Sequence, residues 1–134
     1  MTMNVHDIPG THSVSLPFSA LAASAASIGL GAWKAPFICS VTGLRFVSQD
    51  AITGAATNYA QFDVTGVNAA TTVRGTLSFD DGSDAAAGVD VTMASVTTFD
   101  MAAGDILKID YIENGTGNAS AIGGGCVTIE YEGR

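Results

Sequence analysis

The chain has 134 residues, 47% of them apolar and only 13% charged, with 5 Lys plus Arg against 13 Asp plus Glu and a net charge of −8. That length suits one domain, whose surface of roughly 6,500 Å² folded against about 19,600 Å² unfolded allows a real core without metals or disulfides. So few cations, at a pI near 4.2, exclude the phosphate neutralisation that nucleic-acid binding and anionic membrane surfaces require.

Met1 to His12 is polar and precedes any patterned stretch, so it reads as an extended arm, residues 1–12, ahead of a domain at 13–134. The first ten residues hold no Lys or Arg and lead into no long apolar run, so no secretory leader is expected, and synthesis in a cytoplasm is. Val14, Leu16 and Phe18 alternate with Ser13, Ser15 and Pro17, which suggests an edge strand because Pro17 cannot donate to a ladder. The Ala/Ser segment 19–31 follows, read as a helical turn or two or a packed loop. It lacks the apolar weight of a membrane span.

Phe37 to Val47 is the first long strand. Cys39 and Val41 share one face, Leu44 and Phe46 take the opposite phase, and the change beside Gly43 predicts a β-bulge. Ala60, Phe62 and Val64 point inward from the next strand, 58–65, and Leu77 and Phe79 do so from 76–79. Asp80-Asp81-Gly82-Ser83 is a turn. Val89, Val91 and Met93 alternate through a further strand, and Phe99 and Met101 precede the turn Ala102-Ala103-Gly104-Asp105. Leu107, Ile109 and Tyr111 face inward from 106–113, and Val127, Ile129 and Tyr131 do so from a closing strand. Seven or eight short strands in this length predict an all-β sandwich of two stacked sheets.

The inventory for chemistry is short. His6 and His12 are the only histidines and both fall in the arm, so neither a Ser-His-Asp arrangement nor a histidine metal site on inner strands is expected. Cys39 and Cys126 have no His neighbour and no CxxC spacing, and they would bridge only if their strands adjoin. Asp80, Asp81 and Asp84 form the one dense acidic cluster, with calcium as the alternative to a solvated hairpin. Asp110, Glu113, Glu130 and Glu132 supply carboxylates of the type used in glycoside hydrolysis, but at alternating outer positions of strands. The glycines from Gly115 to Gly125 lead into a strand rather than a helix, unlike a phosphate-binding loop. Trp33 and Tyr59 could stack on a sugar, though packing in the core or at a subunit contact suits a lone Trp better. Asn114-Gly115-Thr116 and Asn118-Ala119-Ser120 match glycosylation sequons and read as turns. No catalytic, cofactor-binding or metal residues are therefore assigned.

Two stretches carry a resemblance. Gly31-Ala32-Trp33-Lys34-Ala35-Pro36-Phe37-Ile38-Cys39-Ser40-Val41-Thr42-Gly43-Leu44-Arg45-Phe46-Val47, with Ala51 to Tyr59, resembles the opening strands of small jelly-roll structural proteins of tailed bacteriophages, of the capsid decoration and head-fibre kind. Phe99 to Ile109, Gly115-Thr116-Gly117 and Val127 to Tyr131 look like their later strands, so that the resemblance covers roughly residues 31–132. It implies a jelly-roll β-sandwich of about eight antiparallel strands and a non-enzymatic capsid decoration (cement) protein on the outside of the head. The implied partner is the major capsid protein, and the implied oligomer a homotrimer. A fibre-tip or spike domain that binds host-surface glycans is the alternative.

Overall fold

The computed structural model describes residues 10–66, 72–94 and 98–134. The strands are β1 (His12–Phe18), β2 (Ile28–Lys34), β3 (Cys39–Ser48), β4 (Tyr59–Gly66), β5 (Thr72–Ser78), β6 (Val91–Thr92), β7 (Phe99–Met101), β8 (Ile106–Asn114) and β9 (Gly125–Gly133). One sheet runs β1-β9-β3-β6, with β7 also paired to β3, and the other runs β2-β8-β4-β5. All the pairings are antiparallel. The short β6 and β7 lie along the same side of β3, at Arg45-Phe46 and at Cys39–Val41, so they fill one strand position between them. Eight positions in this order, with neighbours drawn from distant parts of the chain, form a jelly roll.

Alternation explains most of the elements. In β9, Val127 and Ile129 are fully buried while Thr128 and Glu130 stay on the outer face, and β8 does the same with Leu107, Ile109 and Tyr111 against Lys108 and Asp110. In β3 the register against β9 shifts between Val41 and Gly43, which is the bulge that the phase change there predicts. Between the sheets, Phe46 and Phe62 pack with ring centroids 4.6 Å apart, and Phe18, Phe79 and Tyr111 stack around them at 5.4–6.2 Å.

Three expectations are corrected. The segment 19–31 is neither helix nor loop throughout: β2 starts at Ile28, and Leu21 makes a bridge to Ile122. Glycine at positions 29 and 31 and a register shift between them erase the period of two that marks a strand in sequence. His12 belongs to β1, opposite Tyr131, and not to an arm ahead of it; His6 lies outside the described residues. Val89 is 50% exposed, because regular pairing to β3 starts only at Val91. Among the described residues no helix is long and apolar enough to cross a membrane.

Candidate functional site

The register separates the two cysteines. β3 and β9 adjoin, but Cys39 lies opposite Gly133 whereas Cys126 lies opposite Val47, eight residues further along β3. At ~3.3 Å per residue that is about 26 Å, far beyond a disulfide's reach. Both thiols are free. Cys39 is fully buried, and its pKa is raised by loss of solvent first, then by the negative charges of Asp105 and Asp100.

The carboxylates do not converge either. Asp110 and Glu113 lie on β8 in one sheet, Glu130 and Glu132 on β9 in the other, so the four never face one cleft. Glu132 accepts a hydrogen bond from the Thr11 hydroxyl at 3.1 Å. The Glu130 carboxylate lies over the bulge, where a Cβ at Gly43 would meet its Oε2 at 2.6 Å. In the acidic turn, the Ser83 hydroxyl donates to Asp80 and the Gly54 amide to Asp84, both at 2.7 Å. These carboxylates act as turn acceptors, and no group of three or more His, Cys, Asp or Glu suited to a metal is found among the described residues.

Trp33 and Tyr59 sit at opposite ends of β8, against Leu107 and Asn114, and share no platform. Trp33 packs instead on Tyr131, with centroids 5.0 Å apart, and Tyr131 also contacts His12 and Phe37. Neither sequon is a free loop tip: Asn118 is buried and donates to the Ser120 carbonyl at 2.8 Å, and Asn114 donates to Gln61 at 3.2 Å.

What the topology does bring together is a set of loops at one end of the sandwich, residues 19–27, 49–58, 79–90 and 115–124. Backbone hydrogen bonds join them: Ser24 to Asn118, Gln49 to Gly124, Ala55 to Phe79 and the reciprocal pair Ile52 and Ala85. Close packing fixes them further. A methyl at Gly54 would run into the Asp80 carbonyl oxygen, and one at Gly115, whose φ is +65°, would run into the Thr57 carbonyl. Between 49–58 and 115–124 lies an open cavity of about 300 Å³, lined by Thr53, Asn58, Asn118 and Ser120 and by the methyls of Ala55 and Ala119. Sequence reading places turns here but not a cavity, since its walls lie some sixty residues apart in the chain.

No family model matches the sequence, and no curated protein matches it. Among solved structures, the chain is similar to that of the infectious bursal disease virus Gx strain, at 12% identity and TM-score 0.47, over 93% of this chain and 32% of that one. It is similar also to the VP2 subviral particle of the same virus (12%, 0.47, over 95% and 33%) and to its T13 viral particle (10%, 0.45, over 92% and 31%). The chain thus spans about a third of the length of the solved chains it matches. Its own strand order defines the class: a jelly-roll β-sandwich domain.

Proposed function

We propose that this domain is a non-enzymatic structural protein of a virion, a decoration protein that binds the outside of a bacteriophage head as a homotrimer and braces junctions between major-capsid subunits. The observation that carries the reading is the outer face of the β1-β9-β3 sheet. Ser13, Ser15 and Thr128 stand there with Ser40 and Thr42, and the Ser15 and Thr128 hydroxyls bond each other at 2.8 Å. Short side chains such as these lose little rotamer freedom on docking, and Glu130 and Glu132 of β9 with Arg45 of β3, on the same face, offer charged contacts to a partner. A scattered titratable inventory supports a binding role over catalysis. The residues ahead of β1 add contact area on the capsid in this reading.

Counting copies of the chain in purified particles by quantitative mass spectrometry tests it. Hundreds per particle fit decoration. A handful fits a fibre or spike instead, and absence from the particle overturns the proposal.

A further inference from the structure

We propose that the cavity between 49–58 and 115–124 is a binding site for a small neutral saccharide or polyol. This goes beyond the virion reading and does not rest on it. Three features of the site carry the inference. Its volume of about 300 Å³ falls at the lower end of the range of pockets that hold small molecules. Its lining alternates hydrogen-bonding groups with methyls, which suits a ligand whose hydroxyls and C–H faces alternate.

Some of those groups are also unspent. Asn118 uses its amide nitrogen on the Ser120 carbonyl, and Asn58 uses its side-chain oxygen on the Thr116 amide at 3.0 Å. The Asn58 amide nitrogen and the Thr53 and Ser120 hydroxyls have no partner among the described residues.

Charge selects the class of ligand. No Lys or Arg occurs in 46–73 or 109–133, so the loops that form the cavity offer nothing to neutralise a phosphate or a carboxylate. No carboxylate lines the cavity, and Asp84 beside it is held by the Gly54 amide. A cation gains no ligand set there. The interlocked loops add preorganisation, which spares the ligand the cost of ordering its own site.

Saturation-transfer NMR on the full chain tests the proposal with glucose, galactose and N-acetylglucosamine as neutral probes, and glucose 6-phosphate and N-acetylneuraminic acid as anionic ones. Transfer is expected to at least one neutral sugar at millimolar concentration, with none to the anionic probes. Ala119→Trp, which fills the cavity from an exposed position, should weaken that binding about tenfold or more without lowering the melting temperature. Ala51→Trp, also exposed on the lining, repeats the test if the first variant folds poorly. No transfer to any neutral sugar, undiminished transfer in the filled variants, or equal binding of an anionic probe each overturns the inference. None of these results bears on where the protein sits in a particle.

Discussion

Backbone hydrogen bonds tie the loops at both ends of the sandwich, but what is added to them differs. At the end bearing 49–58, 79–90 and 115–124, loops meet backbone to backbone, with Gly54 against the Asp80 carbonyl and Gly115 against that of Thr57. At the other end, where Ala35 exchanges backbone bonds with Gly104 and Asp105 and the Arg134 amide bonds the Ile38 carbonyl, side chains add a second layer: Tyr131 gathers Trp33, Phe37 and His12, and Arg134 pairs with Asp100. Charge divides in the same way. Lys34, Arg74, Lys108 and Arg134 lie near the second end, in β2, β5, β8 and just beyond β9, while the first holds Asp50, Asp80, Asp81 and Asp84, with Arg45 of β3 reaching Asp90 at the close of its 79–90 loop. A backbone-locked end keeps a shape that no rotamer change can alter, which suits a preformed cavity. An end closed by half-buried aromatics adapts more readily to a neighbour.

This contrast is broken most severely at the glycines. Gly54→Ala or Gly115→Ala should cost about 3–4 kcal/mol, since the obstacle is backbone that cannot swing aside. Gly104→Ala at the opposite end meets only the flexible tip of Lys34 at 3.7 Å. It should cost about 1–2 kcal/mol, from its positive φ alone. Urea denaturation of the three variants measures the difference, and equal costs would remove the distinction between the ends. Next in size is Tyr131→Ala, which strips the hub from the aromatic cluster and should cost about 2–3 kcal/mol, less than a fully buried ring because Tyr131 is half-buried.

A smaller effect follows from Cys39. Its thiol has a folded pKa raised above the unfolded value, so the stabilisation it gives is complete below the unfolded pKa and is lost as pH rises towards the folded one. Stability should therefore fall through the alkaline range above roughly pH 8.5, and Cys39→Ala should flatten that fall. A thiol reagent at neutral pH should label Cys126 in the native protein and Cys39 only after unfolding; rapid labelling of both would contradict the burial of Cys39. Least of all should follow from replacing Asp110, Glu130 and Glu132 together by their amides, within about 0.5 kcal/mol per site. EDTA should leave the melting temperature unchanged, whereas a drop reversed by calcium would make the turn at Asp80 to Asp84 a metal site.

How far the sequence discloses all this depends on how regularly each strand is buried. β8 and β9 have partners on both sides and one wet face, so Leu107, Ile109, Val127 and Ile129 print a clean period of two. The bulge in β3 is legible because Gly43 coincides with a phase change among large apolar residues. β2 is not legible. It is an edge strand, its glycines carry no side chain to alternate, and its bulge falls among them, so only Leu30 and Trp33 report the inner face. Val89 misleads in the other direction, matching the pattern of Val91 and Met93 before the chain has reached its partner. The cavity leaves no local trace, since Thr53 and Ser120 become neighbours only through the register of distant strands.

Electron cryomicroscopy of purified particles, compared with particles lacking the chain and with the same particles after purified protein is added back, addresses the central claim most directly. The account expects density for a two-sheet sandwich on the outer surface of the head, at junctions between capsid subunits, absent without the chain and restored on addition. Identical reconstructions with and without the chain, or density confined to the tail, would contradict it.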